Sequence, residues 1–91
     1  MWYFYVLESK KDSSWYKGHT NDLQRRFAEH NDGRGGTYTK KFVPFMMIYI
    51  ETYIEESDAL KAERFYKTGY GREMLVKKLA TYVKKSKSSK M

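Results

Sequence analysis

Two short segments at the start of the chain restrict its fold more than any other feature. Residues 2–8 are mostly aromatic, and residues 15–19 alternate in polarity, as is typical of strands. The polar residues 9–14 between them are typical of a turn. The chain is therefore predicted to begin with an antiparallel hairpin. With 41% hydrophobic and 18% aromatic residues, it is too apolar to remain disordered.

The length of the turn sets the pairing of this hairpin. If Lys10 and Lys11 occupy the bend, positions whose numbers sum to 21 face each other. Tyr5 then faces Tyr16 across the ladder. This pairing places two tyrosine side chains next to each other on one face of the sheet.

The remaining segments predict three helices and one more strand. Periodic segments at residues 23–31, 58–68 and 71 to about 83 predict helices, the second of them with Ser57 as its N-cap. Residues 45–53 are apolar nearly throughout, which predicts a strand that is central or covered on both faces. The order β, β, α, β, α, α predicts an α/β domain with a small three-stranded sheet, mixed or antiparallel, flanked by helices.

The length and composition of the chain restrict its domain organisation and the kinds of site that it can contain. Its 91 residues fit one small domain, expected over residues 1–83, followed by a disordered basic tail at residues 84–91. With no cysteine, it has no disulfides, thiolate zinc site or cysteine nucleophile. The longest apolar run, residues 42–50, contains Pro44, and it is far short of the about 20 residues that cross a membrane. A soluble cytoplasmic protein is therefore expected.

The net charge indicates an anionic partner. Lys and Arg total 18 against 11 Asp and Glu, for a formal charge of +7. Four of the lysines lie in residues 84–91, so residues 1–83 carry 14 minus 11, or +3. The distribution of charge within the folded part is therefore more informative than the total.

Two predicted helices carry a charged residue on the face that should be buried. The inner face of the first helix combines Leu23 and Phe27 with Arg26 and His30, and that of the second contains Glu63. The other inner residues of the second helix are Ala59, Leu60 and either Tyr66 or Lys67.

This pattern has two explanations, and the residues alone leave both open. One is a buried ion pair between Arg26 and Glu63. The other is a cleft in which Arg26 binds a phosphate and Glu63 binds a divalent metal. In that cleft a hydroxyl of Tyr5 or Tyr16 would orient or deprotonate a water. Deprotonation requires a tyrosine pKa below its usual value of about 10, lowered by nearby cations.

The order of these segments resembles the GIY-YIG endonucleases, in particular small single-domain members similar to the nuclease domain of the bacterial excision-repair incision enzyme. The resemblance covers about residues 2–80. It rests on segments that match, in order, the GIY strand, the YIG strand, the start of the arginine helix, and the glutamate helix with its exit: Tyr3-Phe4-Tyr5-Val6-Leu7, Tyr16-Lys17-Gly18, residues 19–27 and residues 59–73. Tyr3 replaces the first glycine of GIY, and Lys17 replaces the isoleucine of YIG.

The resemblance implies a role for each matching position. Tyr5 and Tyr16 are the two motif tyrosines, of which one orients or activates the attacking water and the other supports it. Arg26 stabilises the charge that develops on the scissile phosphate. Glu63 binds a single divalent metal, Mg²⁺ or Mn²⁺. His30 matches a histidine that lies near the phosphate in many members.

Three further positions on the second strand are implied as supporting residues. Gly18 lets backbone and substrate approach closely, and Lys17 adds a cation beside Tyr16. His19 takes a place where members often have Lys or another polar residue.

A set of basic residues is predicted to follow the nucleic-acid backbone: Arg34, Lys40, Lys41, Lys67 and Arg72. A solvated basic face is the alternative for these lysines. The segment at residues 33–36, which contains Arg34, reads as the end of a helix followed by a turn, with phosphate binding as the second interpretation. Residues 37–41 are predicted to be irregular.

The implied function is metal-dependent hydrolysis of DNA phosphodiester bonds, and the resemblance to the excision-repair enzyme implies a role in DNA repair. Because no separate targeting domain fits in this chain, low sequence specificity is expected, with DNA structure or a partner protein selecting the site. The alternative is a nucleic-acid-binding module with the same fold and no catalytic activity.

Overall fold

Three antiparallel strands form the centre of the fold. The computed structural model describes residues 1–34 and 40–89. Its strands are β1 (Trp2–Ser9), β2 (Trp15–Thr20) and β3 (Phe45–Tyr53), which lie side by side in the order β2-β1-β3. Each strand is within one residue of its predicted limits. The predicted three-stranded sheet is confirmed, and of the two predicted arrangements the antiparallel one is correct.

The central strand is β1, so the prediction that β3 is central or covered on both faces is wrong. Residues 4–7 of β1 are all buried, which shows that both faces of this strand are covered. β3 lies at an edge, and Ile50 on it is 44% exposed. An apolar run predicts burial, but its length does not distinguish a central strand from an edge strand.

The described part of the chain also contains four helices, the first of them between β2 and β3: α1 (Leu23–Asn31), α2 (Glu56–Tyr66), α3 (Gly69–Lys78) and α4 (Ala80–Ser89). Together with the sheet they confirm the α/β class. Ser57 is not the N-cap of α2, because the helix begins at Glu56 and Glu55 takes the cap position without a side-chain hydrogen bond. No helix in these described ranges is long and apolar enough to cross a membrane.

The predicted third helix is two helices, α3 and α4, which meet at Leu79. The Leu79 side chain packs against the core, and its amide donates to the carbonyl of Leu75. In α4, the Tyr82 hydroxyl donates to Oε1 of Glu8 on β1 at 2.7 Å. The structure thus has helix as far as Ser89, where the sequence predicted a disordered tail. A domain limit at residue 83 stays a prediction.

The hairpin is offset by two residues from the predicted pairing. Tyr5 pairs with Gly18 and Tyr16 pairs with Leu7, so paired numbers sum to 23. The connection spans residues 10–14, which is longer than the two-residue bend assumed from the sequence. Because the offset is an even number of residues, Tyr5 and Tyr16 still project from the same face of the sheet.

Alternate residues of β1 belong to two clusters on opposite faces of the sheet. Phe4 and Val6 pack against apolar residues of α2 and α3. Tyr5 and Leu7 pack on the other face, against apolar residues of α1 and of the segment that leads into β3. The sheet is therefore a wall between α1 on one side and α2 with α3 on the other.

A partly buried carboxylate on β3 connects this strand to α2. Glu51 accepts hydrogen bonds from the hydroxyls of Tyr49, Tyr53 and Tyr66, each at 2.6 Å. Burial raises the pKa of Glu51, but the three hydroxyls outweigh it and the net pKa is lowered. Tyr66 is buried and Lys67 is exposed, which settles the last inner residue of α2.

Two predicted segments fall largely outside the described residues. The turn at residues 33–36 and the irregular segment at residues 37–41 both overlap residues 35–39, which the structure does not describe. The described part of the first segment agrees with the predicted helix end, because Gly33 has a φ of +86° directly after α1.

Candidate active site

Helix α1 carries Arg26 and His30 one turn apart on its inner face. Asp22 caps this helix, because its carboxylate accepts from the Arg25 amide at 3.0 Å. The Arg26 side chain is 29% exposed, and His30 has no exposed surface. The mixed polar and apolar face predicted for this helix is confirmed.

The hydroxyl of Tyr5 lies between His30 and Arg26. It is 3.1 Å from Nε2 of His30, and it receives a hydrogen bond from the Arg26 side chain. The Tyr5 ring crosses β2 over Gly18, where a Cβ atom would lie 2.5 Å from the Tyr5 hydroxyl oxygen. Only a residue without a side chain permits this approach.

Burial raises the pKa of Tyr5 to about 12, although the hydrogen bond from Arg26 acts in the opposite direction. Tyr5 is therefore un-ionised near neutral pH. The lowered pKa that a water-deprotonating tyrosine requires is absent at this position.

His30 is enclosed by aromatic rings. The centroid of its ring lies 4.7 Å from that of Tyr16 and 6.0 Å from that of Phe45. Burial, and then the charge of Arg26, lowers the pKa of His30 to about 4, so the imidazole is neutral near pH 7. Its Nδ1 atom makes no hydrogen bond to any residue that the structure describes. The polar contact of His30 is with Tyr5.

Tyr16 is the more accessible of the two tyrosines. It is partly exposed, whereas Tyr5 is 1% exposed. Its charge when ionised contributes to the raised pKa of Tyr5, which indicates that the two hydroxyls are near each other. Of the pair, Tyr16 is the one that a water or a phosphate can reach directly.

Glu63 projects from α2, and its side chain is 17% exposed. Its Oε1 atom is 2.7 Å from Nδ1 of His19, and its Oε2 atom is 2.6 Å from Nζ of Lys67. The Nε2 atom of His19 is in turn 3.6 Å from Oε2 of Glu56. Burial raises the pKa of Glu63, but Lys67 and His19 outweigh burial and the net pKa is lowered.

The tyrosines and Glu63 approach from opposite faces of the same edge strand. Tyr16 and Gly18 lie on the face toward α1, whereas Lys17 and His19 alternate with them and face α2. Because β2 is an edge strand, both sets of side chains lie at the same edge of the sheet. The charge of Glu63 contributes to the raised pKa of Tyr5, so the two groups are coupled.

A direct ion pair between Arg26 and Glu63 is not present. The Nη1 atom of Arg26 is 3.2 Å from Oε1 of Glu29, and Glu63 contacts His19 and Lys67 instead. Burial lowers the pKa of Arg26, but its contacts with Tyr5 and Glu29 outweigh burial and raise it overall. The buried-pair explanation of the inward charges is therefore wrong.

The chemistry of Glu63 fits one divalent cation. In the described ranges, no three His, Asp or Glu side chains are grouped so as to hold a metal. A single carboxylate suits Mg²⁺, which keeps several of its waters. Lys67 already places a cation 2.6 Å from Oε2, and this side chain is 52% exposed, so a metal could displace it.

Three of the predicted nucleic-acid-binding residues lie at the surface that follows α1. The guanidinium of Arg34 is tied to the carboxylate of Asp32 by hydrogen bonds of 2.6 to 3.0 Å. Lys40 and Lys41 are exposed. Binding of nucleic acid by these three residues stays a prediction.

The other two, Lys67 and Arg72, are close enough to Lys17 for their charges to act on it. Burial lowers the pKa of Lys17, and the charges of Arg72 and Lys67 lower it further. Lys17 therefore joins a second basic group near Glu63, on the face of β2 away from Tyr16.

Two acidic residues of the site were not predicted. Glu29 pairs with Arg26, and Glu56 lies beside His19. Helical spacing contained the signal for both. Glu29 follows Arg26 by three positions, and Glu56 precedes Glu63 by seven, so each shares a helix face with its neighbour in the site.

Comparison with known proteins gives the same family as the motifs. Residues 1–80 match the GIY-YIG catalytic domain. The UPF0213 protein YazA from Bacillus subtilis is 39% identical over 88 residues, which cover 97% of this chain and 83% of YazA. A UPF0213 protein from Streptococcus pyogenes is 36% identical over 86 residues, covering 94% and 92% of the two chains.

A solved structure agrees with this result. The solution NMR structure of the UPF0213 protein BH0048 from Bacillus halodurans is 35% identical in sequence and superposes with a TM-score of 0.51. The match covers 85% of this chain and 84% of BH0048.

Proposed function

Because the chain belongs to the GIY-YIG family, we propose that it is a divalent-metal-dependent endonuclease that hydrolyses phosphodiester bonds in DNA. The observation that carries the proposal is the arrangement around Gly18. Arg26, the two motif tyrosines and Glu63 approach the same short stretch of β2 from both faces. This arrangement supports a cleft in which one phosphate meets a guanidinium and a carboxylate-bound cation.

In the proposed reaction, a water oxygen attacks phosphorus, one phosphorus–oxygen ester bond breaks, and the leaving oxygen takes up a proton. Arg26 donates hydrogen bonds to the phosphate oxygens as negative charge develops on them. Its partly exposed guanidinium is held on the cleft side by Glu29 and by the Tyr5 hydroxyl. Arg26 is therefore fixed before a substrate arrives.

The two tyrosines take different parts in this proposal. Tyr16 is accessible and orients the attacking water. Tyr5 is buried and un-ionised, so it supports the site by orienting Arg26 and His30. His30 acts through Tyr5, because it has no exposed surface with which to contact a phosphate.

Glu63 would hold the divalent metal. When bound, such a metal supplies positive charge to the phosphate and lowers the pKa of its bound water. His19 holds Oε1 of Glu63 at 2.7 Å and so fixes the orientation of the carboxylate. Lys67 balances the charge of Oε2 at 2.6 Å.

The remaining predictions concern the substrate and the setting. Low sequence specificity, selection of sites by DNA structure or by a partner protein, a cytoplasmic location and a role in DNA repair all stay predictions. They follow from the resemblance and from the small size of the domain.

The test is nicking of supercoiled plasmid in Mg²⁺ or Mn²⁺, together with cleavage of branched and single-stranded DNA. We expect cleavage by the wild type, and a rate at least about 100-fold lower for Glu63→Gln and for Arg26→Gln, because each loses a group that stabilises the transition state. The matched control is Arg25→Gln. Arg25 is the neighbouring arginine, 58% exposed, and its loss should leave the rate unchanged.

Two results would contradict the proposal. Absence of cleavage with every DNA, together with salt-dependent DNA binding, would favour the non-catalytic nucleic-acid-binding module. Equal cleavage by the wild type and Glu63→Gln would trace the activity to a contaminating nuclease.

A further inference from the structure

Three cations converge on the side of β2 that faces α2. Lys17 and His19 lie two positions apart on this face, and Glu63 and Lys67 lie one turn apart on α2. The contact of His19 with Glu63 joins the strand to the helix, and Lys67 contacts the same carboxylate from the C-terminal end of α2. A two-residue step along a strand and a one-turn step along a helix are both about 6 Å, so Lys17 and Lys67 each lie one such step from the contact between His19 and Glu63, and the charge of Lys67 acts on Lys17.

The third cation comes from α3. Arg72 is in the first turn of this helix, which packs against α2 through Gly71. A Cβ atom at residue 71 would overlap the backbone carbonyl of Phe65, so the close packing depends on this glycine. That packing brings Arg72 near enough to Lys17 to lower the lysine pKa.

This arrangement is unfavourable for the protein by itself. Lys17 is partly buried, and its neighbours Lys67 and Arg72 carry the same charge. Among the described residues, neither Lys17 nor Arg72 forms an ion pair, while Glu63 already contacts Lys67 and His19. Arg72 also places positive charge at a helix N-terminus, where the helix dipole disfavours it. A bound anion would relieve all three conflicts.

We propose that Lys17, Lys67 and Arg72 bind a phosphodiester group of the substrate strand, next to the phosphate that faces Arg26 and Glu63. This inference rests on the proposed function for the identity of its ligand. An arginine fork, two ammonium groups and the amide end of a helix are the donors that phosphate oxygens accept best. The site lies beside Glu63, so a strand that crosses the edge at Gly18 would place consecutive phosphates in the two sites.

The proposal predicts opposite effects of one substitution on affinity and on stability. Lys17→Met keeps an unbranched side chain that is one atom shorter, and it removes the charge. It should weaken binding of a labelled single-stranded oligonucleotide about tenfold, and reduce the slope of log affinity against log salt by about 0.7. In phosphate-free buffer the same variant should melt about 4 °C higher than the wild type, because repulsion and lysine desolvation are removed.

Binding is measured by fluorescence anisotropy in EDTA, so its outcome does not depend on cleavage. The matched control is Lys61→Met, which removes an exposed lysine from α2 and should change neither quantity. Arg72→Gln is the second test variant and should weaken binding to a similar extent. Lys67 is avoided, because it contacts the proposed metal ligand.

Inorganic phosphate tests whether the site binds a phosphodiester group of the substrate strand or free phosphate, because the same donors would bind both. It should raise the melting temperature of the wild type more than that of Lys17→Met. If phosphate does so but oligonucleotide affinity is unchanged in both variants, the site takes free phosphate and the proposal is overturned. The proposal also fails if Lys17→Met lowers the melting temperature and leaves affinity unchanged, because Lys17 is then a structural residue. Loss of cleavage with retained binding would instead count against the proposed nuclease function alone.

Discussion

Replacement of Gly18 by alanine is the most direct test of how β2 supports the candidate site. The added Cβ atom would lie 2.5 Å from the hydroxyl oxygen of Tyr5 and 2.8 Å from its ring carbon Cζ. The Tyr5 ring is buried, so it can avoid this contact only by displacing the residues packed around it. Displacement of the hydroxyl would also break its 3.1 Å contact with Nε2 of His30.

The size of the effect follows from these two losses. Overpacking of a filled site costs about 1–3 kcal/mol. Loss of a buried hydrogen bond adds about 1–3 kcal/mol, because it leaves polar atoms without partners. The sum is about 2–6 kcal/mol. Since 1 kcal/mol shifts the melting temperature of a domain of this size by roughly 4–8 °C, Gly18→Ala should melt at least about 8 °C lower.

A double-mutant cycle separates this contact from a general backbone effect. Tyr5→Phe removes the oxygen that the new Cβ meets first, so Gly18→Ala should cost less when it is combined with Tyr5→Phe. Urea unfolding of the four proteins should give a coupling energy of at least about 1 kcal/mol. The Cζ contact remains in the double variant, so the rescue of stability is partial, and nicking should not recover because the hydroxyl is absent.

Additive free energies would refute the reasoning. If Gly18→Ala costs the same with and without Tyr5→Phe, the two side chains do not compete for the same space. A Gly18→Ala variant as stable as the wild type would show that the Tyr5 ring does not lie over β2.

Two further predictions concern stability. His30 has its folded-state pKa lowered to about 4 from 6.5, so the unfolded chain binds a proton between these values that the folded chain does not. Stability is therefore fully present above pH 6.5 and decreases as the pH falls toward 4. Relative to His30→Gln, the wild type should lose about 2 kcal/mol more between pH 7 and pH 5 in urea unfolding, and equal losses would contradict a buried neutral imidazole. Gly71→Ala should destabilise by about 2 kcal/mol or more, because its Cβ overlaps the carbonyl of Phe65. Gly69→Ala has no atom within 4 Å of its Cβ and should be neutral or stabilising by up to about 1 kcal/mol, so equal melting temperatures for these two variants would argue against close packing of α2 and α3.

The hairpin shows which part of a fold local patterns can predict. The aromatic character of residues 2–8 and the alternation of residues 15–19 were sufficient for both strands, and the assumed bend placed Tyr5 and Tyr16 on the same face, as the structure has them. The register was wrong because it depends on how the connecting residues 10–14 fold. Successive side chains of a strand alternate between its two faces. A register error of two residues therefore left each side chain on the correct face.

The same distinction applies to the helices. Helical periodicity found the inward Arg26 and Glu63, but it could not show whether the two residues pair. Their partners, Glu29 for Arg26 and His19 with Lys67 for Glu63, come partly from other elements. Periodicity likewise gave one helix for residues 71–83, because packing of Leu79 against the core and the bond from Tyr82 to Glu8 are contacts between distant segments.

By itself, then, the sequence determined the strands, the inward faces of α1 and α2, and the motifs of the family, because these are repeated local preferences or short matching segments. Only the tertiary structure decided that β1 is the central strand, that Tyr5 is buried and un-ionised while Tyr16 is accessible, and that Lys17 lies with Lys67 and Arg72. These features depend on burial and on charges brought together from separate elements. Burial and electrostatic coupling are properties of three-dimensional distance, which the spacing of residues along a chain does not specify.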